Sequence, residues 1–168
     1  MRKSTFFILV LVAICSVAKA QDEKFKALFM YNFTKYIEWP QAKQSGNFVI
    51  GVCGNASIVP ELQEIANKKT VGSQKIEIKE IAASDDPSKL HILYVTADKT
   101  EAIDGFINKV KGKGVVIITD KPGLAEAKSG INYIKDGGRL KYEVSHKHLS
   151  EEGVKVSSQL AQLGNSVD

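Results

Sequence analysis

The residues of this chain that could do chemistry lie mainly where apolar runs end. Asp120 follows an apolar run, 115–119, at the position where open α/β sheets place functional carboxylates, so it is a candidate binding residue. Capping of the turn that follows is the alternative. Residues 51–57 form a glycine-containing turn of the same kind, but they lack the G-x-G-x-x-G spacing and the lysine of a phosphate-binding loop.

No group of residues has the spacing of a catalytic or metal centre. Cys53 has no base near it in sequence, so we expect a buried apolar side chain rather than a nucleophile. His146 and His148 are two residues apart, which points them to different sides of a helix, and no third ligand is evident. We therefore predict that the protein is not an enzyme and has no metal or cofactor.

An amide interrupts the apolar stripe of the opening helix. The stripe has helical spacing and comprises Phe25, Leu28, Phe29, Phe33, Tyr36 and Ile37. Asn32 falls in the middle of it, and a buried amide without a partner would cost ~1–3 kcal/mol. Asn32 therefore either fixes the helix to a neighbouring backbone or binds a ligand. The helix should end at Trp39-Pro40, because proline lacks an N–H and restricts the residue before it.

A hairpin near the end of the sequence carries the remaining candidates. Residues 131–135 and 139–144 flank Asp136-Gly137-Gly138, a strong turn motif. A two-residue turn predicts an apolar face of Ile131, Tyr133, Leu140, Tyr142 and Val144, and a polar face of Asn132, Arg139, Lys141 and Glu143.

The polar face of this hairpin is a candidate interface. We interpret Asn132, Arg139 and Glu143 as partner contacts, and an exposed aromatic corner at Trp39 as a further one. A buried Trp39 and a solvated hairpin face are the alternative.

Apolar runs alternate with helical periodicities along the chain. Runs at 48–53, 90–96 and 115–119 suit strands buried on both faces. Helices are predicted over about 60–66 and 102–110. This alternation predicts an α/β fold: a mainly parallel sheet flanked by helices in three layers, with the hairpin extending the sheet.

The first twenty residues predict an export signal. Their start is positive, their centre at 6–15 is apolar, and Ala18-Lys19-Ala20 is a small-x-small cleavage site. Cleavage near Ala20 would leave a single domain, residues 21–168, in the periplasm. A membrane anchor is disfavoured because the apolar run is shorter than ~20 residues. A lipoprotein signal at Cys15 is disfavoured because the residue before it is large.

Charge argues against nucleic acid as a partner. The formal net charge of +4 falls to +1 without Arg2, Lys3 and Lys19 of the export signal. The remaining lysines are dispersed, whereas nucleic-acid binders need a clustered basic surface. Cys53 is then the only thiol, so we predict no internal disulfide.

Several segments of the sequence occur in a recognisable order. They are 26–40 (KALFMYNFTKYIEWP), 48–52 (FVIGV), 91–95 (HILYV), 118–120 (ITD), 131–133 (INY), 137–144 (GGRLKYEV) and 154–160 (VKVSSQL). Together they resemble the YfiR-like family of periplasmic proteins, over essentially the whole mature chain. The first and last blocks are specific to the family, and the strands between them are generic.

The resemblance implies a regulator. The best-known relative holds an inner-membrane diguanylate cyclase inactive from the periplasmic side and is relieved by an outer-membrane lipoprotein; related domains are fused to sensor kinases and cyclases. By analogy, the partner here is the periplasmic sensor domain of an inner-membrane signalling protein. An outer-membrane lipoprotein and a second copy of the chain are further candidate partners.

Two departures from the family's pattern limit the analogy. Lys128-Ser129-Gly130 stands where the family has two glycines and a methionine, which puts a backbone anion site there in doubt. The relative's disulfides also cannot form with Cys53 as the only mature thiol.

Two classes of function follow from the sequence. The first is an interaction module that allosterically restrains a membrane signalling protein. The second is a periplasmic small-ligand-binding protein that uses the crevice at the carboxyl ends of the strands, near Gly54, Thr96 and Asp120.

Overall fold

Short, buried, parallel strands form the centre of the fold. The computed structural model describes residues 21–54 and 56–168. β2 (Phe48–Cys53), β5 (Ile92–Val95) and β6 (Val116–Thr119) lie side by side and parallel, with almost all of their residues buried. Strands covered on both faces have continuous apolar sequences, which is why the sequence predicted these three.

The sheet continues on both sides of this centre. β4 and β7 extend it in parallel, β3 and β8 add antiparallel edges, and β10 runs parallel to β8. The order across the sheet is β10-β8-β7-β6-β5-β2-β4-β3, while β1 and β9 form a separate antiparallel pair. These strands are β1 (Ile37–Glu38), β3 (Thr70–Val71), β4 (Gln74–Glu80), β7 (Ile131–Asp136), β8 (Arg139–Val144), β9 (Lys155–Val156) and β10 (Asn165–Ser166).

Helices cover both faces of the sheet, so the predicted three layers are confirmed. One core contains the buried residues of α1 and α2 against one sheet face, and a second contains those of α3 against the other. The helices of the described residues are α1 (residues 21–33), α2 (Val59–Lys68), α3 (Ile103–Val110), α4 (Leu124–Ala127), α5 (His146–Glu152) and α6 (Ser158–Leu163).

The hairpin has the predicted register. Asp136 pairs with Arg139 across a two-residue turn, and Tyr133 pairs with Tyr142 on the apolar face. Gly137 and Gly138 have φ values of 57° and 77°, a left-handed conformation that glycine adopts without a steric penalty.

The opening helix is shorter and differently oriented than the sequence predicted. α1 ends at residue 33, and residues 34–36 form a turn closed by hydrogen bonds between residues three apart. Ile37 then pairs with Val156 of β9, so the backbone that was assigned to the helix is a strand. The pairing partner is more than a hundred residues away, and helical periodicity could not reveal it.

The core-facing side of α1 also differs from the predicted stripe. Ala27, Met30 and Phe33 are the fully buried positions, whereas Phe25 and Leu28 are 44% and 46% exposed. The sequence pattern favoured the larger side chains, but small Ala27 lets the helix approach the sheet closely.

No helix within residues 21–54 and 56–168 has the length and apolar character needed to cross a membrane. The predicted export signal lies in residues 1–20, outside the described residues, and stays a prediction.

Candidate functional site

A groove runs between α1 and the β7–β8 hairpin. It consists of two adjoining cavities of about 340 Å³ and about 460 Å³, which share Phe29 and Leu140 as lining residues. We call it the α1–hairpin groove and define it by Phe25, Phe29, Asn32, Tyr36, Arg139, Leu140 and Leu163.

The groove has a mixed lining, and α1 contributes apolar side chains to it because the helix turns only one narrow side to the core. Phe29 remains partly buried, with its ring 5.6 Å from that of Tyr142 in an edge arrangement. Phe25 is 44% exposed at one end of the groove, and Leu163 is 63% exposed at the other. Apolar side chains exposed together along a concave surface are typical of a binding site for another molecule.

The edge of the groove carries a cation with no partner. The Arg139 guanidinium makes no hydrogen bond or ion pair with any residue that the structure describes. The two lysines near Arg139 each have an acidic partner: Lys135 pairs with Asp22 and Lys141 pairs with Asp136, each at 2.5 Å. Arg139 is therefore available to a carboxylate from outside the chain.

Asn32 lies in this groove rather than in the core. It is half-buried, and its Oδ1 accepts a hydrogen bond of 2.8 Å from Lys35 Nζ. The prediction that it fixes the helix to a neighbouring backbone is wrong, because the buried side of α1 is the one formed by Ala27, Met30 and Phe33.

Asp120 belongs to a separate, mostly buried charge cluster. Its Oδ2 accepts hydrogen bonds from Lys26 Nζ at 2.7 Å and from Tyr94 OH at 2.6 Å, and Lys26 also pairs with Glu23 at 3.1 Å. Although burial lowers the pKa of Lys26, its bonds to Asp120 and Glu23 raise it above the usual value. Burial raises the pKa of Tyr94, and the neighbouring Asp120 carboxylate raises it further. Asp120 thus holds α1 to the sheet.

The crevice that the sequence suggested for a small ligand is closely packed. Thr96 Oγ1 donates to the Cys53 carbonyl at 3.3 Å and contacts Asp98. A Cβ at Gly54 would lie only 1.9 Å from Thr96 Oγ1, so the two chain segments touch here. Thr96 and one oxygen of Asp120 are therefore bonded within the chain, whereas Asp120 Oδ1 has no hydrogen-bond partner among the described residues.

Asn132 and Glu143 form a structural network. Asn132 is completely buried, its Oδ1 accepts from Thr119 Oγ1 at 2.7 Å, and its Nδ2 donates to Glu143 at 3.0 Å. Thr119 in turn contacts Ser129 at 2.9 Å. The polar hairpin face is therefore covered near β6, and Arg139 alone of its three candidates is exposed.

Trp39 is a core residue, as the alternative interpretation had it. It is 6% exposed, its ring meets Phe48 edge-on at 4.8 Å, and its Nε1 donates to the His91 carbonyl at 3.2 Å. Burial lowers the pKa of His91, whose Nδ1 accepts from the Val49 N–H at 3.0 Å.

Glu152 is a buried carboxyl group that the sequence did not reveal. Its Oε1 accepts from the Ile117 N–H at 3.1 Å. Its Oε2 has no hydrogen-bond partner among the described residues. Burial raises the pKa of Glu152 well above its usual value. Two consecutive glutamates at a helix end normally indicate solvent exposure, so sequence pattern gave no warning.

The fold and the groove define an α/β domain with a concave surface of mixed apolar and polar lining. Within residues 21–54 and 56–168, no group of His, Cys, Asp or Glu side chains has a metal-binding arrangement. The chain belongs to the YfiR/HmsC-like family (DUF4154), whose sequence model matches residues 23–165. No curated protein matches the chain in sequence. Members of the family are periplasmic and regulatory, and they interact with partner signalling proteins.

Proposed function

We propose that this protein is a periplasmic regulator that binds the periplasmic sensor domain of an inner-membrane diguanylate cyclase and keeps the cyclase inactive. Family membership supports a role in cyclic-di-GMP signalling. The exported location rests on the sequence of residues 1–20. A sensor kinase as the restrained protein is the alternative within the same class.

The observation that carries the proposal is the α1–hairpin groove. Interfaces concentrate their binding energy in a few aromatic, aliphatic and arginine side chains around a desolvated centre. The groove offers exposed Phe25 and Leu163, partly exposed Phe29, and the unpaired Arg139. The partner segment would supply large apolar side chains and a carboxylate for Arg139.

Binding alone does not keep the cyclase inactive. The regulator must bind the inactive state of the cyclase more tightly than the active state, and a tenfold preference corresponds to about 1.4 kcal/mol. An outer-membrane lipoprotein that competes for the groove would release the cyclase by removing this preference. A second copy of the chain that bound in the groove would likewise compete with the cyclase.

The proposal is tested by measuring cyclic di-GMP in the host. Deleting the gene should raise the nucleotide several-fold, and the wild-type gene should restore the original level. A Phe25→Asp, Leu163→Asp double variant should not restore it, because it places charge in the groove without disturbing the core. Leu28→Asp is the matched control, since Leu28 is 46% exposed on α1 outside the groove.

Equal periplasmic amounts of all variants must be verified by immunoblot. An unchanged nucleotide level in the deletion strain would contradict restraint of a cyclase. Full restoration by the double variant would contradict a role for the groove.

A further inference from the structure

A third cavity lies on the α3 side of the sheet, away from the α1–hairpin groove. It has a volume of about 240 Å³ and lies between α3, α4, α5 and β6. Its apolar lining consists of buried Val110 and Ile117, partly buried Ile107 and exposed Ala127. An apolar cavity of 150 Å³ is large enough to take up benzene, so this one suits a molecule somewhat larger than that.

The mouth of this cavity carries two lysines and two acids, and one of the lysines is unpaired. Two acids lie there, and both have cationic or imidazole neighbours: Asp104 pairs with Lys128 at 2.7 Å, and Glu151 is 3.7 Å from His148. Lys111 also lines the mouth, and its ammonium group makes no hydrogen bond or ion pair with any residue in the described part of the chain. An anion entering the mouth would therefore meet a free lysine and a second one held only by an exposed ion pair.

Glu152 makes the interior polar at one point. The residue is 5% exposed and lines the cavity, and burial favours the neutral form of its carboxyl group. With one oxygen occupied by the Ile117 N–H, the other has no partner among the described residues. Because the interior of the cavity carries no charge, it accepts the apolar part of a ligand. The carboxylate of the ligand is accommodated only at the mouth.

We propose that this cavity binds a small amphipathic carboxylic acid, with its apolar body against Ile107, Val110 and Ile117 and its carboxylate at Lys111. An amine of the same shape is the wrong ligand, since it has no carboxylate for Lys111 and would place its own positive charge beside that lysine. The site lies apart from the groove, so its occupancy can be measured without any protein partner.

Isothermal titration calorimetry of the purified mature protein tests the proposal with two probes of matched body, 3-phenylpropionate and 2-phenylethylamine. The acid should bind, and the amine should bind at least about tenfold more weakly. Lys111→Gln should weaken binding of the acid about threefold, in keeping with the loss of one exposed charge. Lys113→Gln, an exposed lysine two residues away, should leave it unchanged.

An Ile107→Trp variant places a larger side chain in the cavity, at a position that is only partly buried. It should abolish binding of the acid, while the protein still melts cooperatively. If that variant does not fold, the Lys111 and Lys113 comparison decides. The proposal is overturned if neither probe binds, if acid and amine bind equally, or if Lys111→Gln and Lys113→Gln behave alike.

Discussion

The two side chains at the end of α5 illustrate how burial changes a carboxyl group. Glu151 is 49% exposed, whereas the adjacent Glu152 is 5% exposed and bonded to the Ile117 N–H. β7 pairs with β6 only from Ile118 onward; the Ile117 carbonyl still accepts from the Gly130 N–H at 3.1 Å, but the Ile117 N–H has no backbone acceptor on that side and donates to Glu152 instead. Glu152 therefore completes the sheet at the cost of burying a titratable group.

This burial predicts an unusual pH dependence of stability. An unfolded glutamate titrates near pH 4.3, and burial raises the native pKa of Glu152 above that value. Between the two pKa values the native state holds a proton that the unfolded chain has lost, so stability falls as the pH rises through that range. The contribution is fully present below the unfolded pKa and is lost as the pH rises through the native pKa.

A Glu152→Gln variant should remove this loss. We expect it to melt at a higher temperature than the wild type at pH 7.5, by about 3 °C for each kcal/mol of relieved burial cost. The difference should disappear near pH 4, where both side chains are neutral. Glu151→Gln is the matched control and should show neither effect. A variant that melts below the wild type at pH 7.5 would contradict a stability cost from the burial of Glu152.

Helix α1 is the element on which the groove depends. Lys26 joins it to Asp120 and Tyr94, and Tyr133 OH donates to the Lys26 carbonyl at 2.7 Å. The side chains of Lys26 and Asp120 are only 12% and 15% exposed. Removing one member of such a pair leaves the other charge buried without its partner, which is far more costly than losing a surface ion pair.

A Lys26→Met variant should therefore lose about 3 kcal/mol of unfolding free energy, measured by urea denaturation. Adding Asp120→Asn should recover part of the loss, because no unpaired charge then remains. Lys24→Met on the exposed side of the same helix should change stability by less than about 0.5 kcal/mol. Equal losses at Lys24 and Lys26 would show that the cluster does not hold the helix.

Elements were predictable where the determining residues are close in sequence. The buried runs of β2, β5 and β6 and the Gly137-Gly138 turn follow from local composition, and the structure confirms them. The end of α1 and its buried side were not predictable, because β9 and the sheet decide both. The expected burial of Cys53 is confirmed, whereas the environments of Asn32 and Asn132 were not predicted, for the same reason.

At the scale of the whole molecule, the sheet separates the two proposed binding features. The α1–hairpin groove borders the core beneath α1, and the cavity with Glu152 borders the core beneath α3. The sequence predicted the α/β class and the family, and both are confirmed. Of the candidate site residues, Asn32 and Arg139 lie in the groove. The groove itself was not predictable, since α1, the hairpin and α6 all contribute to it.

The central claim is that the groove contacts a membrane signalling protein, and photo-crosslinking in the living host tests it most directly. A photoreactive phenylalanine analogue is placed at Leu163 in the groove or at Leu28 outside it, both exposed positions. We predict that Leu163 crosslinks to an inner-membrane protein with a periplasmic sensor domain and a cytoplasmic cyclase domain, and that Leu28 does not. Equal crosslinking from both positions, or none from Leu163, would contradict the account.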